Sequence, residues 1–264
     1  MSGKSDNPNF VAILGRAFQI MDCILESPEP IGVSQISKLT EIPKANTFRI
    51  LKTLEELDAI TEIGDGYVLS TQLIKYGNGA KRHNKFLPVV APYVERLAHE
   101  VGESVNLGIQ YYDSVLVIHS ETGDASTAVV SYLSPIMAMY CSSIGKLLLS
   151  YKSDEEIDEY FAKTEIVART VRTLKSKEDF LKEREEILKE GISYDREEYD
   201  YGLSCFSMPI RNMHGDIVAG LSISGPTSRL NYKGVEHLQE VLRKTVDEIN
   251  FVIKNREIDL PEVE

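Results

Sequence analysis

Three apolar stripes at helical spacing, followed by two short strands around glycines, occupy the first 70 residues and restrict the fold more than any other feature of the sequence. The stripes cover residues 16–26, 34–39 and 45–57. Ser34 is the expected N-cap of the second helix, and Leu39 and Leu57 are expected to face inward. A Pro-containing break precedes the third helix, and Gly64-Asp65-Gly66 joins the strands. The pattern predicts a winged helix-turn-helix over 1–70.

In this architecture, the helix after the turn enters the major groove of DNA and its first residues reach the base edges. We expect Asn46, Thr47 and Arg49 to read bases, because Asn pairs with adenine and Arg with guanine. Lys44 and Lys52 are placed on phosphates. The predicted DNA-binding set is Ser34, Gln35, Lys44, Ala45, Asn46, Thr47, Phe48, Arg49 and Lys52. The alternative is a helical hairpin whose polar face is merely solvated.

Residues 71–86 contain four basic and no acidic side chains and are expected to form a linker helix. Their charge would either face the DNA backbone or keep the segment solvated. From residue 87 onward, stretches with helical spacing alternate with β-branched stretches. Strands are expected at 103–110, 114–120, 128–133, 205–211 and 217–224, and a single long helix at 232–255. An antiparallel sheet with helices packed on it predicts a second, α+β domain over 87–264 of the GAF type.

Composition limits the class of protein. The chain has 264 residues, 29 Lys and Arg, 41 Asp and Glu, and a formal net charge of −12. Such an acidic balance argues against a protein that coats nucleic acid through a wide basic field. The N-terminal residues lack the pattern of a secretory signal, and no apolar stretch is long enough to span a membrane. We therefore expect a cytoplasmic protein with no membrane partner.

Cysteine and histidine spacing gives no support for a metal site. The three cysteines form no C-x-x-C pair, and the five histidines never fall at the spacings that place two ligands on one helix face. The cysteines are interpreted as reduced thiols. No metal and no cofactor are expected.

Two segments carry a family resemblance. The C-terminal one is Gly191-Ile-Ser-Tyr-Asp-Arg-Glu-Glu-Tyr-Asp-Tyr-Gly-Leu-Ser-Cys205, followed by Met208-Pro-Ile210 and Leu221-Ser-Ile-Ser-Gly-Pro226. It resembles the C-terminal motif of IclR-type bacterial transcriptional regulators. The segment from Ile42 to Leu51 is similar to the recognition helix of the same family. The resemblance spans about residues 11–255 and implies a winged helix, a linker helix and a GAF-like effector-binding domain. It also implies self-association as a dimer or a dimer of dimers on double-stranded operator DNA.

The resemblance further implies that the second domain binds a small metabolite, often a carboxylate; sugar acids and aromatic acids are the classes to test first. Backbone amides at Ser143 and Ile144 would hold an anion at a helix start. This chain departs from the common family pattern at Tyr140 and Ser143. The implied effector-binding residues are Met137, Met139, Tyr140, Ser143, Ile144, Asp195, Cys205, Ser222 and Ser224. A solvated acidic loop around Asp195 and a sheet face with satisfied hydroxyls are the alternatives.

These observations together favour a ligand-responsive repressor of a catabolic operon rather than an enzyme. Two kinds of enzyme are the alternatives. Ser143-Ile-Gly-Lys146 has the Ser-x-x-Lys spacing of acyl-transfer enzymes, although Lys-Thr-Gly is absent. Cys205 could act as a thiol nucleophile, but no residue is expected to orient His214 beside it. A sensor module that binds only a protein partner is the third possibility.

Overall fold

The computed structural model describes residues 7–123 and 135–258, without the side chains of 81–83. The chain divides into two compact units, 1–83 and 84–264. Within the described residues, no helix combines the length and the apolar character needed to cross a lipid bilayer.

The first unit is a small helical domain with a two-stranded wing. Its elements are α1 (Ala12–Leu25), α2 (Val33–Thr40), α3 (Lys44–Glu56), β1 (Ile60–Ile63), β2 (Gly66–Leu69), a short 3₁₀ helix (Thr71–Leu73) and α4 (Ile74–His83). The strands of the wing are antiparallel. An apolar core joins the inner faces of the three helices and the wing; it includes Ile20, Ile24, Ile36, Ile50, Leu51, Leu54, Ile60 and Tyr67. These elements and their order confirm the predicted helix-turn-helix.

Three local expectations for this unit were wrong. Helix α2 begins one residue earlier than expected, with Gly32 rather than Ser34 at its N-cap. Leu39 is 62% exposed because Ile36 and Thr40 are the residues that face inward at this end of α2. Leu57 is 68% exposed because α3 ends at Glu56, so Leu57 no longer follows the helical stripe.

The second unit is built on one six-stranded antiparallel sheet. Its elements are α5 (Leu87–Val101), β3 (Ser104–Tyr111), β4 (Ser114–Glu121), β5 (Ile136–Ala138), α6 (Ser143–Ser150), α7 (Asp154–Lys163), α8 (Lys177–Glu190), β6 (Ser193–Arg196), β7 (Leu203–Arg211), β8 (Ile217–Pro226), α9 (Thr227–Lys233) and α10 (Val235–Arg256). The strand order is β5-β4-β3-β8-β7-β6. The α+β class and the central antiparallel sheet are as predicted.

Successive side chains along each strand point to opposite faces of the sheet. Phe206, Met208, Leu221 and Ile223 join the core formed with α5 and α10. Their strand neighbours point to the opposite face, where α6 packs closely. There the register partners Gly108 and Gly220 lie under Ile144, and a Cβ built on Gly220 would lie 2.8 Å from Ile144 Cγ2. Glycines at this pair therefore allow α6 to approach the sheet.

The strand expected at 128–133 lies outside the described residues. Among the described residues, the second unit differs from the sequence prediction in three places. Strand β5, which was not predicted, forms the edge of the sheet beside β4. Strand β6 was not predicted, because Ser-Tyr-Asp-Arg shows no apolar alternation. The long final helix is interrupted at Gly234, whose φ of +88° belongs to the region that favours glycine and separates α9 from α10.

Candidate DNA interface and effector cavity

The first unit presents an open groove between the start of α2, the start of α3 and the wing turn. Its volume is about 850 Å³, and it is lined by Gly32, Val33, Ser34, Gln35, Lys44, Ala45, Phe48 and Asp65. Five of the nine predicted DNA-binding residues thus share one surface. Because side chains from the start of both helices meet there, the groove has the position expected for contacts with base edges and phosphates.

Along α3, solvent exposure distinguishes the residues that can contact DNA bases from those that belong to the core. Lys44, Ala45, Phe48 and Arg49 are exposed, and Asn46 is half-buried. Thr47 is fully buried, and its Oγ1 donates to the carbonyl oxygen of Ile42 at 3.1 Å. The expectation that Thr47 reads a base was therefore wrong, because its hydroxyl caps the turn inside the domain.

Lys52 occupies a different environment from the other basic residues of α3. Its amino group lies 2.8 Å from a carboxylate oxygen of Glu55 and 2.8 Å from one of Glu62. The first contact lies within α3 and the second reaches strand β1 of the wing. The structure thus shows Lys52 as a link between the recognition helix and the wing; its phosphate contact stays a prediction.

The second unit encloses a small polar cavity on the α6 face of the sheet. Asp195, Cys205 and Ser224 are register partners on β6, β7 and β8, so they form one row across three strands. Ser222 and Asn106 are paired in the next row on β8 and β3. The cavity is lined by Asn106, Met137, Ser142, Ser143, Ile144, Asp195, Tyr199, Leu203, Cys205, Ser222 and Ser224. Seven of the nine residues implied by the resemblance are therefore brought together.

The start of α6 forms one wall of this cavity. Ser142 is the N-cap, and its Oγ accepts a hydrogen bond from the Gly145 amide at 3.2 Å. The amides of Ser143 and Ile144 have no such acceptor in the part of the chain that is described. They remain available to an anion, which the positive end of the helix dipole would also favour.

Two hydrogen bonds and deep burial define the state of Asp195. Its Oδ1 accepts from the amides of Glu198 at 2.7 Å and Tyr199 at 3.2 Å. Burial disfavours the charged carboxylate and raises the pKa of Asp195 from 3.8 to about 7, although both hydrogen bonds act in the opposite direction. The carboxyl group can therefore hold a proton near neutral pH and donate a hydrogen bond into the cavity.

Asn106 and Ser224 extend the polar wall. Asn106 Nδ2 donates to Ser224 Oγ at 3.2 Å, and Ser120 Oγ donates to Asn106 Oδ1 at 2.7 Å. Asn106 was not among the residues expected in the cavity, although its place on β3 opposite Ser222 follows from the strand register. Ser142, Tyr199 and Leu203 were also missed, and Ser142 could have been found as the N-cap that precedes an apolar helix.

Met139 and Tyr140 do not line the cavity, contrary to the expectation. Met139 lies beneath the start of α6, where a Cβ on Gly145 would come within 2.3 Å of Met139 Cα. Tyr140 is buried and its hydroxyl donates to the carbonyl oxygen of Val167 at 3.0 Å. Both residues support the cavity wall from behind.

A buried ion cluster lies next to the cavity and joins α6 to the turn that follows Asp195. The Lys146 amino group lies 2.5 Å from Glu198 Oε1 and 2.6 Å from Glu183 Oε2. Because Glu198 also donates its amide to Asp195, the cluster connects α6 to the turn that holds the Asp195 carboxyl group. No residue type in the local sequence indicated that Lys146 would be buried.

The geometry gives no support to the two enzyme readings. The Lys146 ammonium is held by two carboxylates and is not free to activate Ser143. Burial raises the pKa of the Cys205 thiol well above its ordinary value of 9.0, so the thiolate needed for attack is disfavoured. His214 lies exposed in the turn between β7 and β8.

Comparison with known families matches both units. The model described as "Bacterial transcriptional regulator IclR C-terminal" matches residues 81–251. The "IclR helix-turn-helix domain" matches residues 14–63. The chain belongs to the IclR family. As an IclR-family member it is a DNA-binding transcriptional regulator with an effector-binding C-terminal domain, which confirms the class of function indicated by its sequence.

Individual IclR-family proteins match over most of their length. The chain is 26% identical to the "HTH-type transcriptional regulator KdgR" of Dickeya chrysanthemi over 250 residues, covering 92% of this chain and 82% of the relative. It is 28% identical to the "HTH-type transcriptional repressor AllR" of Escherichia coli over 243 residues, covering 91% and 89%. The crystal structure of the Thermotoga maritima IclR has a TM-score of 0.68 at 27% identity, covering 92% of this chain and 99% of that one.

Proposed function

We propose that this IclR-family protein represses a catabolic operon and changes its affinity for the operator when a small carboxylate-bearing metabolite occupies the cavity of the second unit. The observation that carries this proposal is the row formed by Asp195, Cys205 and Ser224 beside the free amides at the start of α6. Such a row places several hydrogen-bond donors around one enclosed point.

The lining of the cavity favours a carboxylate over a phosphate. Serine hydroxyls, the Asn106 amide and two backbone amides can each donate to a carboxylate oxygen. No Lys or Arg side chain is found among the described lining residues, so a single negative charge suits the site better than two. The Asp195 carboxyl group could face a hydroxyl group of a sugar acid or the polar substituent of an aromatic acid.

Ligand binding would have to rearrange this site. The cavity volume is about 10 Å³, which holds about one water molecule. A metabolite must therefore move the walls apart, and α6 with the turn carrying Tyr199 are the walls that do not belong to the sheet. An effector that binds only the open arrangement shifts the population toward it. This coupling between occupancy and conformation is what a regulator needs.

The roles of the linker and of self-association, the cellular location and the direction of control follow from the same proposal. A linker at 71–86 would carry the change between the DNA-binding domain at 1–70 and the effector domain at 87–264. Two copies of the chain, or a dimer of dimers, would read a near-palindromic operator through paired recognition helices. The protein would act in the cytoplasm, where its free cysteines stay reduced. AllR, described as a repressor, supports repression as the direction of control.

The test uses the full chain and a random pool of DNA duplexes. Repeated selection should recover a near-palindromic duplex, and fluorescence anisotropy should then give its dissociation constant at fixed salt. Adding individual sugar acids and aromatic acids should shift that constant for at least one acid. Failure to select any duplex would favour a module that binds only a protein partner. Consumption of an added acid would favour an enzyme.

A further inference from the structure

Phe48 is a large apolar side chain left in contact with solvent on the recognition helix. It is 49% exposed, whereas Ile50, Leu51 and Leu54 of the same helix are buried. Phe48 lies one turn after Ala45, and both residues line the open groove of the first unit together with Val33. The groove therefore presents an apolar strip in the middle of a surface expected to read DNA.

A neighbouring side chain restricts the orientation of the Phe48 phenyl ring. The Lys52 amino group lies 5.9 Å from the centroid of the Phe48 ring and 5.7 Å from that of Tyr67. Lys52 is itself held by the carboxylates of Glu55 and Glu62. A cation over the ring face restricts the ring, so Lys52 acts as a positioning residue for Phe48.

The major groove offers one apolar group to such a side chain, the C5-methyl group of thymine. Cytosine carries only a hydrogen atom at C5, and adenine and guanine present no methyl group on that edge. A phenyl ring exposed near the start of a recognition helix can therefore gain by covering that methyl group and excluding water from both surfaces.

We propose that Phe48 selects a thymine in each operator half-site by contact with its C5-methyl group. This inference rests on the proposed DNA-binding role and names the base that this position reads. Ala45 and Val33 border the contact, while Lys52 holds the ring in place. Burial of one methyl group corresponds to about a fourfold change in affinity, and a twofold-symmetric complex would square it to about fifteenfold.

Uracil is the probe, because it pairs like thymine and lacks only the methyl group. The tightest duplex selected by the full chain would be remade with each thymine replaced by uracil, singly and in symmetry-related pairs. For the unmodified protein, one symmetric pair of replacements should weaken binding about fifteenfold. Phe48→Ala should bind more weakly but treat thymine and uracil at this pair alike. Phe48→Leu should retain part of the preference.

Leu39→Ala is the matched control, since Leu39 is also an exposed apolar residue of the helix-turn-helix but lies outside the groove lining. It should keep the full preference for thymine. If replacing the thymines of the half-site by uracil never weakens binding, the proposal is overturned. A preference undiminished in Phe48→Ala would overturn it as well. Absence of any selected duplex would instead refute the DNA-binding role itself, so the two failures are distinguishable.

Discussion

The amino group of Lys146 lies 2.5 Å from Glu198 Oε1, and the two side chains are 0% and 4% exposed. Their contact joins helix α6 to the turn after β6, across 52 positions of the sequence. Breaking a buried ion pair leaves an uncompensated charge in the interior, which costs more than the contact itself contributes. This pair therefore makes the back wall of the cavity sensitive to single substitutions.

Removing the ammonium group should destabilise the second unit. Lys146→Met leaves Glu198 and Glu183 close together without their cation, so we expect a loss of about 3–5 kcal/mol in the free energy of unfolding. Urea unfolding followed by circular dichroism measures it. Lys163→Met is the control, because the Lys163–Glu159 pair is on the surface, where solvent screens it, and its loss should change the free energy of unfolding far less. Equal effects of the two substitutions would contradict the structural role of Lys146.

Asp195 should make stability depend on pH. Its pKa is raised to about 7 in the folded protein, so the folded state keeps a proton that the unfolded state loses near pH 4. The protonated Asp195 therefore contributes a stabilising free energy below pH 4, and this contribution is lost as the pH rises to 7. The Asp195→Asn variant has no titrating group at this position. Its free energy of unfolding, relative to that of the unmodified protein, should therefore rise by up to about 4 kcal/mol between pH 4 and pH 7. Urea unfolding at several values between pH 5 and pH 8 measures the free energy of unfolding of both proteins. If the two free energies changed with pH in parallel, the raised pKa of Asp195 would be disproved.

The serine pair of β8 should carry the response to effector. Replacing Ser222 and Ser224 together by Ala removes two hydroxyl donors and leaves the strand nearly unchanged in shape. Hydrogen bonds to a charged group contribute roughly 1.5–3 kcal/mol each, so the loss of two should raise the effector midpoint by roughly 100-fold or more while operator binding persists. Cys205→Ser should have a milder effect. An anisotropy titration measures the midpoint, and Ser114→Ala, outside the cavity lining, is the control.

The glycine pair beneath α6 should tolerate no side chain. A Cβ on Gly108 would lie 2.7 Å from Val115 Cγ1 and 3.1 Å from Ile144 Cδ1, so Gly108→Ala should lower the melting temperature of the second unit. Gly77→Ala offers a contrast, because nothing lies within 4 Å of its Cβ position in helix α4. That substitution should stabilise α4 by up to about 1 kcal/mol. A gain from Gly108→Ala would show that α6 does not pack as described.

Arg49 should determine sequence preference on DNA. If Arg49 pairs with guanine, Arg49→Ala should cost about 1–3 kcal/mol on the selected duplex and little on a scrambled one. Lys44→Ala should weaken both duplexes alike, as loss of a phosphate contact does. Binding over a range of salt concentrations separates the two cases, because the Lys44 variant should also show a shallower salt dependence. Equal weakening by Arg49→Ala on both duplexes would make Arg49 a phosphate contact.

The sequence by itself determined the local elements and the order in which they occur. Apolar spacing predicted α1 and α3, and Gly64-Asp65-Gly66 correctly marked the turn between β1 and β2. These predictions succeeded because helical periodicity and turn chemistry depend on residues close to each other in the sequence. The same local information supported the assignment of the helix-turn-helix.

Tertiary structure decided which side chains meet. The row from Asp195 to Ser224 depends on the pairing of three strands, and a shift of one residue would turn each of these side chains to the opposite face. Burial of Lys146 depends on carboxylates 37 and 52 positions away. Thr47 and Leu57 were misplaced because the end of a helix and the depth of its core face depend on neighbouring elements. Periodicity states which residues share a face, but only packing between distant segments determines what that face contacts.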